Sequence, residues 1–360
     1  MAWLAASIAW HIPAASVPAA PPDAAMPVVR LEHFILAPAH TPSAVAVVCN
    51  RGKAEFSGTV RIEGPSPWKI VPESQPLALP AGATRRVIFT VHGGTIRPDN
   101  AYPLTAVVSG GGGEVKHRQV VSAASAPFGK PKLDGTPGAF QDALPLTFTT
   151  QGRRTAIATL WNRRQFAIQV AVEQTNHVPW PGALAAPGSS DKPVAKSPAC
   201  DAVQLAFAAE ATPTPDAPDS PCGRYELLLV GLPHSAKGKC FLLASPETKL
   251  AAAQAVAPLG PRALDDVEVV VGRRDGWTYY QCLVPFRVLA DIKPGEGREF
   301  SLAVLVHDPS GVGLRDLGAA SGLWPWQRNR LAWSRWPGQT AGPQPPCDSR
   351  LPWGMCSSKY

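Results

Sequence analysis

Charged residues are scarce in this sequence. Asp, Glu, Lys and Arg make up 17% of the 360 residues, although the formal net charge is +7 and the pI about 9.1. The basic excess therefore reflects few acids rather than a dense basic arm, and Arg occurs in scattered pairs at 153–154, 163–164 and 273–274. Nucleic-acid binding needs Lys and Arg clustered on one face, so we predict no nucleic-acid partner and interpret the pairs as solvated strand ends. A weak affinity for anionic polymers is the alternative that this composition still allows.

Metal-binding motifs are also missing. None of the seven cysteines forms a Cys-x-x-Cys pair and no His group has zinc spacing, so the sequence predicts no metal site. Cys200 and Cys222 bracket a Pro-rich insertion, and Cys347 and Cys356 lie close together near the end of the sequence. Either pair could form a disulfide if the protein is exported, and isolated thiols are an alternative of equal weight.

A membrane-spanning apolar run is not present either. The first twenty residues are apolar, but His11 and Pro13 interrupt them, and the stretch is too short for a transmembrane helix. It lacks a basic start, yet it ends in Val17-Pro18-Ala19, which loosely matches a cleavage site. We interpret residues 1–27 as a worn or truncated signal peptide with a linker, which predicts an extracytoplasmic location.

What the sequence has in abundance is Pro and Gly, 40 and 31 residues respectively. This composition favours many short strands joined by turns, and the length allows two domains, so we predict an all-β protein of two β-sandwich domains. The expected boundaries are a first sandwich at 28–124, a linker at 125–133, a second sandwich at 134–340 and a Pro-rich tail at 341–360. Strands in the first are predicted at 45–49, 56–62, 86–92, 102–108 and 115–121.

The clearest pattern in the second domain is a hairpin at 155–173. Ile157, Leu160 and Trp161 precede a polar turn at 162–164, and apolar residues then alternate with Ala167, Gln169 and Ala171. A period of two marks a strand with one buried face. The hairpin leads into a loop carrying Asn176, His177 and Trp180. We therefore expect a rigid hairpin that supports an exposed, Trp-bearing binding loop.

Both domains resemble known families. The order N-R-G, F-S-G-T-V, P-x-W, L-P-A-G and Y-P-L-T-A resembles the immunoglobulin-like domain found beside α-galactosidases. In the second domain, D-G-x-P-G, L-W-N-R-R-Q-F-A-I-Q-V-A-V, C-D-A-V-Q-L-A-F, V-P-F-R-V-L and F-x-L-A-V-L-V-H-D-P-S-G follow in series. This series resembles the family 9 carbohydrate-binding modules, β-sandwiches related to the DOMON domain, over about residues 134–336.

The second resemblance implies a sugar site. In that family two Trp from opposing loops clamp a terminal sugar; by position these match Trp180 and Trp324, with Trp326 as the rival of Trp324. We add the polar residues near the converging loop ends as hydroxyl-binding candidates: Asn176, His177, Gln204 and Arg315. Gln204 and Asn162 stand where the family has acidic residues, which weakens the calcium site that the resemblance also implies. Haem-binding DOMON relatives use Met and His ligands. Met1, Met26 and Met355 lie outside the predicted domain, so we expect no haem.

The sequence favours a binding protein over an enzyme. Glycoside hydrolysis needs two carboxyl groups flanking the bond, and no motif sets such a pair. We therefore expect non-catalytic binding of a polysaccharide or oligosaccharide, accessory to glycoside hydrolases. The alternative is a surface structural or adhesion protein whose sugar-binding module has degenerated, an alternative that the missing acidic residues favour.

Overall fold

The computed structural model describes residues 26–35, 42–182, 200–209, 217–321, 333–336 and 350–356. These residues form twenty strands and two short helices. The strands of the first part are β1 Val28–Leu31, β2 Ser43–Cys49, β3 Phe56–Glu63, β4 Lys69–Val71, β5 Gln75–Leu79, β6 Thr84–His92, β7 Tyr102–Gly110 and β8 Gly113–Val121. The strands of the second part are β9 Ser125–Ala126, β10 Leu146–Thr150, β11 Arg153–Trp161, β12 Gln165–Glu173, β13 Ala202–Ala209, β14 Tyr225–Gly231, β15 Gly238–Ala244, β16 Glu268–Arg274, β17 Trp277–Pro285, β18 Glu299–Asp308, β19 Gly313–Asp316 and β20 Leu351–Met355. The two helices are α1 Leu250–Gln254 and α2 Leu317–Ala320, and 3₁₀ turns lie at Pro137–Phe140 and Gly260–Arg262.

Strands β1 to β8 form the N-terminal sandwich. One sheet has the order β1-β2-β6-β4 and the other β5-β3-β7-β8. Ala46 and Phe89 of the first sheet and Val60 and Leu104 of the second are buried in one shared core. The core lies between the sheets because apolar side chains alternate along each strand and collect on the facing sides.

Strands β9 to β20 form the C-terminal sandwich. A five-stranded sheet has the order β10-β11-β12-β17-β16. It packs on a seven-stranded sheet with the order β15-β14-β13-β18-β20-β9, in which β19 also pairs with β18. Ile168, Val170 and Tyr280 of the first sheet meet Leu205 and Val304 of the second in the largest core of the chain. The all-β fold class is therefore confirmed.

The predicted 155–173 hairpin is present as β11 and β12, joined in register from Thr155 opposite Val172 to Trp161 opposite Phe166. Trp161 is buried. Asn162 closes the turn, because its side-chain oxygen accepts a hydrogen bond from the Arg164 backbone N–H at 2.9 Å. The hairpin therefore forms for the local reason that the sequence indicates.

Two segments differ from the sequence-based boundaries. The predicted linker contains β9, and the predicted tail contains β20, which pair in parallel inside the seven-stranded sheet. Trp353 and Met355 of β20 are buried in the core, so Met355 lies within this sandwich and the expectation that it lies outside is wrong. Proline-rich flanks hide this strand in the sequence. Residues 1–25, and with them the predicted signal peptide, lie outside the described residues.

Side-chain contacts join the two sandwiches. The side chain of His33 lies 3.2 Å from the Ser321 hydroxyl, and Asn100 donates to the Pro145 carbonyl at 3.1 Å. Gln119 donates to the Ser321 carbonyl at 3.2 Å. Burial is the main cause that lowers the pKa of His33 to about 4, so this contact is made by a neutral imidazole near neutral pH.

The cysteines of the described residues are free thiols, so for Cys200 and Cys222 the structure shows the isolated thiols and not the disulfide, the two equal alternatives of the sequence. Burial raises the pKa of Cys200 to about 12 and makes this thiol unreactive. Cys347, and with it the second predicted pair, lies outside the described residues. No described helix is both long and apolar enough to cross a membrane.

Candidate functional site

Trp180 lies on a loop, as predicted, but its ring is buried. Trp180 exposes 8% of its surface, and its ring packs edge-on against the ring of Phe241 with 5.1 Å between the ring centroids. The loop is held down because the Trp180 N–H donates to the Gly231 carbonyl at 2.9 Å. The outer face of β13 to β15 carries apolar Leu228 and Val230, and Trp180 covers it. The expectation of an exposed Trp180 sugar platform is therefore wrong.

Gln204 is also buried, within a polar network. Its amide nitrogen donates to Glu226 Oε2 at 2.7 Å and to the Ser334 carbonyl at 3.0 Å. Its amide oxygen lies 3.0 Å from His307 Nε2, which must carry the proton there because the nitrogen of Gln204 already faces two acceptors. Burial lowers the pKa of His307 to about 3. Gln204 is fully buried and therefore joins β13 to β14 and β18.

Arg315 is the third predicted sugar contact that the structure buries. Its guanidinium forms a buried ion pair with Asp308 and donates to the carbonyls of Glu173 at 2.9 Å and Arg154 at 3.1 Å. The arginine thus fastens β19 to the ends of β11 and β12. These three hydrogen-bonding partners inside the protein give Arg315 a structural role.

Of the remaining predicted residues, His177 and Asn176 lie among the described residues and differ in exposure. His177 is mostly buried, with Nδ1 3.4 Å from Asp201 Oδ2 and 3.3 Å from the Tyr280 hydroxyl. Asn176 is exposed. Trp324 and Trp326 lie outside the described residues. Within the described part of the chain, no group of three His, Cys, Asp or Glu residues could hold a metal ion.

A different surface combines aromatic rings with polar groups. On β11, β12 and β17, alternate side chains point away from the core, and the pairing places Ala156 opposite Ala171 and Ala171 opposite Tyr279. Residues of the segment after β9, namely Leu133, Phe140 and Ala143, cover one half of this outer face by packing on Ala158, Leu160 and Ala167. The other half is open.

We call this open half the sheet-face groove. It has a volume of about 520 Å³ and is lined by Pro98, Pro137, Phe140, Gln141, Ala143, Leu144, Pro145, Ala156, Ala158, Gln169, Ala171, Trp277 and Tyr279. Ala156, Ala158 and Ala171 make a low floor. Trp277 and Tyr279, both half-buried, stand beside that floor on one strand. Pro98 brings a residue of the N-terminal sandwich to the groove.

Polar groups at the groove are fixed by hydrogen bonds behind it. Gln281 donates from its amide nitrogen to Gln169 Oε1 at 2.8 Å, and its own amide oxygen accepts from the Gly135 N–H at 2.9 Å. With its oxygen committed, Gln169 presents its amide nitrogen, which has no partner among the described residues. Gln141 is exposed at the side of the groove. The groove thus offers amide donors and acceptors beside aromatic rings.

A second cleft, of about 360 Å³, lies in the N-terminal sandwich and is lined by Phe34, Trp68 and Tyr102 among others. There the aromatic rings contact one another: Trp68 and Tyr102 lie 5.1 Å apart at an interplanar angle of 37°. Their faces are occupied by neighbouring rings rather than offered to a ligand. The sheet-face groove is therefore the stronger candidate.

Sequence reasoning left the orientation of Trp277 open. The available signal was the run of small residues at Ala167 and Ala171, on the face of β12 opposite to the apolar one. An alanine face on a central strand leaves room for a ligand or for a covering segment, and here one half of the face is covered and the other half is open. Sequence spacing does not show which half stays uncovered.

Comparison with known proteins gives no family. No family model matches the chain, and no curated protein matches it in sequence. Among solved structures, the E. coli chaperone DraB is similar with 11% identity and a TM-score of 0.22, covering 62% of this chain and 93% of that chain. The YadV chaperone is similar with 9% identity and a TM-score of 0.21, covering 81% of this chain and 96% of that chain. Similarity at this level supports no inference about function.

Proposed function

We propose that this chain is a non-catalytic carbohydrate-binding protein that holds a polysaccharide in the sheet-face groove. The observation that carries the proposal is the pair Trp277 and Tyr279. Both are half-buried beside an alanine floor, and the Gln169 amide lies on the adjacent strand β12. The site thus differs from the Trp180 clamp that the sequence resemblance implies. We further propose that the protein serves glycoside hydrolases outside the cytoplasm, a location supported by its apolar first twenty residues.

The physical argument rests on the two surfaces of a pyranose ring. Its C–H faces are apolar and its edge carries hydroxyls, so a binding site needs flat aromatic surfaces with amide or carboxylate groups beside them. Trp277 and Tyr279 are two residues apart on one strand, so their side chains stand about 7 Å apart on the same face. Alanines beside them keep the floor low, which lets a sugar ring lie against the indole and reach the Gln169 amide.

The groove favours binding over hydrolysis. Its thirteen lining residues include no Asp or Glu, whereas glycoside cleavage normally requires two carboxyl groups flanking the scissile bond. The lining therefore offers contact surface and hydrogen bonds but no acid or base.

The test is affinity electrophoresis of the full chain in gels that contain plant, algal or bacterial polysaccharides. We expect at least one polysaccharide to retard the wild-type chain. Trp277→Ala should weaken that binding at least tenfold, which corresponds to about 1.4 kcal/mol. Trp277→Phe should retain part of the binding because it keeps a ring. Ile88→Ala is the control, since Ile88 is an exposed apolar residue (56%) of the N-terminal sandwich, remote from the groove.

A structural or adhesion protein is the competing function. The burial of Trp180, Gln204 and Arg315 favours it, because these residues stabilise the fold where the family resemblance implies sugar contacts. Under this alternative no polysaccharide retards the chain, and Trp277→Ala changes nothing beyond stability. That result would overturn the proposal.

A further inference from the structure

A third concave site lies at the β11–β12 turn. It has a volume of about 440 Å³ and is lined by Phe128, Lys130, Asn162, Arg163, Arg164 and Gln165. We call this site the turn pocket. It shares no lining residue with the sheet-face groove. The turn pocket is therefore separate from the site of the proposed function.

Hydrogen bonds hold the two walls of the turn pocket together. The Trp161 N–H donates to the Pro127 carbonyl at 3.0 Å, and the Gly129 N–H donates to the Trp161 carbonyl at 2.8 Å. The Asn162 side chain donates to the Gly129 carbonyl at 3.3 Å, and its oxygen accepts from the Arg164 N–H. These bonds fix the backbone from which the lining side chains extend, and a preformed backbone lowers the entropy cost of binding.

Unpaired positive charge lines this pocket. Lys130, Arg163 and Arg164 are exposed, and none of the three forms an ion pair with a carboxylate of the described residues. The lining itself contains no Asp or Glu. At the opposite end of the same sheet, by contrast, Arg154 pairs with Glu173 at 3.0 Å. Three like charges on one concave surface attract an anion, and the attraction is largest for an anion of more than one charge.

An aromatic ring and an amide accompany the cations. Phe128 is 40% exposed, and its ring packs edge-on with the ring of Trp161, with 5.3 Å between the centroids. The side chain of half-buried Gln165 has no hydrogen-bond partner among the described residues. An aromatic surface suits the apolar face of a sugar ring, and a free amide suits a hydroxyl group. The turn pocket thus combines groups that bind a sugar with groups that bind an anion.

The three cations determine which anion fits. Guanidinium groups bind phosphate and sulfate oxygens through paired hydrogen bonds, and the lysine ammonium adds a point charge. A tetrahedral oxyanion offers at least three oxygens to these groups, whereas a carboxylate offers two. One exposed ion pair contributes little affinity, so the ligand must contact several cations and the aromatic ring together.

We propose that the turn pocket binds a phosphorylated or sulfated monosaccharide. Its oxyanion contacts Lys130, Arg163 and Arg164, and its ring contacts Phe128. This inference goes beyond the proposed function, because it assigns a second site with another class of ligand. Phosphate and sulfate esters share the tetrahedral oxyanion, and the experiment separates the two.

The experiment is isothermal titration calorimetry of the full chain with the 6-phosphates and 6-sulfates of glucose, galactose and N-acetylglucosamine. We expect at least one of these esters to bind with a dissociation constant below about 1 mM at low salt. Inorganic phosphate, glucuronate and glucose should bind roughly tenfold more weakly or less, since each lacks either the ring or the tetrahedral oxyanion. Raising NaCl from about 20 to about 500 mM should weaken ester binding strongly.

The double variant Arg163→Gln/Arg164→Gln should weaken ester binding by roughly tenfold or more, because it removes two of the three cations. The matched control is Arg85→Gln/Arg118→Gln, which removes two exposed arginines of the N-terminal sandwich. Ester binding in the control should equal that of the wild type. An equal loss in both double variants would show a general charge effect and overturn the inference.

Phe128→Ala tests the contact with the sugar ring. The variant should weaken ester binding and leave the weak binding of inorganic phosphate unchanged. Phe128 is exposed, so the variant should melt at the temperature of the wild type. Unchanged ester binding in Phe128→Ala would overturn the inference.

The remaining outcomes separate this inference from the proposed function. Equal binding of esters and inorganic phosphate would show anion attraction without a sugar site and overturn the inference, as would the absence of binding for every ester. Neither result bears on the sheet-face groove. A saturating ester should leave polysaccharide retardation unchanged, because the two sites share no residue. Release of the polysaccharide by the ester would place the ester in the groove and overturn the second site.

Discussion

At the scale of single residues, tryptophan occupies two contrasting environments in this chain, a covered sheet face and an open groove. Trp180 lies on a proline-flanked loop, which suggests exposure, whereas Trp277 follows a hairpin turn, where the sequence leaves core and solvent equally open. The structure buries Trp180 against Phe241 and leaves Trp277 at the groove. The reason is position on the sheets: the outer face around Trp180 is apolar and needs covering, whereas the alanine face beside Trp277 does not.

Buried His307 makes stability depend on pH. Its pKa is lowered from 6.5 to about 3 by burial, so between these values the unfolded chain takes up a proton that the folded chain does not. Stability is therefore complete above pH 6.5 and falls as the pH drops towards 3. At about pH 5 the loss from this one residue is on the order of 2 kcal/mol.

We predict that His307→Gln flattens this pH dependence. The glutamine amide can still donate to Gln204, while the titrating group is removed. Urea denaturation at about pH 7 and about pH 5 should show the difference between the two conditions shrink by roughly 2 kcal/mol relative to wild type. An unchanged difference would contradict the role of His307.

The buried ion pair of Arg315 and Asp308 gives a second residue-scale prediction. Arg315→Met leaves the Asp308 carboxylate buried without its partner, and should cost about 3–5 kcal/mol of unfolding free energy. The double variant Arg315→Met/Asp308→Leu removes both charges and should regain part of that loss. Equal instability of the single and double variants in denaturant titrations would show that the charge pair is not the cause.

At the scale of elements, the groove depends on the segment at 134–136. Gly135 lies against Gly272 of β16 so closely that a Cβ on Gly272 would overlap the Gly135 backbone. Gln281 holds the same segment through the N–H groups of Asp134 and Gly135. The segment leads directly into Pro137, which lines the groove, so its position affects the site as well as stability.

We predict that Gly272→Ala displaces this segment and costs about 1–3 kcal/mol, the usual penalty for overpacking a close contact. Saccharide binding should weaken along with stability. Gly260→Ala is the matched control, because a Cβ there meets nothing within 4 Å. Thermal unfolding of both variants checks the prediction; equal melting temperatures would contradict it.

The positions of the strands could be predicted from the sequence only in part. Alternating patterns located β2, β3, β6, β7, β8 and the β11–β12 hairpin, although the second face of β2 is also apolar and buried at Val45 and Val47. Short β1, β4, β5 and β9 carry too few residues to show a period, and β20 follows a Pro-rich stretch. The burial of Trp180, Gln204 and Arg315 was not predicted, because sequence alone does not show which loop or strand is covered by a segment distant along the chain.

At the scale of the whole molecule, the C-terminal residues complete the second sandwich. β20 pairs with β18 and with β9, and the Trp353 indole N–H donates to the Thr159 hydroxyl across the core at 2.9 Å. Trp161 in turn donates to the Cys356 carbonyl at 2.7 Å. The last described strand therefore links both sheets of the C-terminal sandwich.

We predict that a chain ending at residue 349 is strongly destabilised, because it exposes the core that Trp353 and Met355 cover. A loss of at least 3 kcal/mol is expected from the removal of one buried aromatic side chain alone. A chain ending at Cys356 keeps β20 and serves as the control. Denaturant titration of the two truncated chains should separate them clearly, and identical midpoints would contradict this account of β20.

The most direct test of the central claim, that the sheet-face groove binds the saccharide, is fluorine NMR of the full chain labelled with fluorotryptophan. The resonance lost in Trp277→Phe belongs to Trp277, and the resonance lost in Trp180→Phe belongs to Trp180. On titration with a polysaccharide that retards the chain, the account predicts that the Trp277 resonance shifts and the Trp180 resonance does not. A shift of Trp180 with Trp277 unchanged would contradict it.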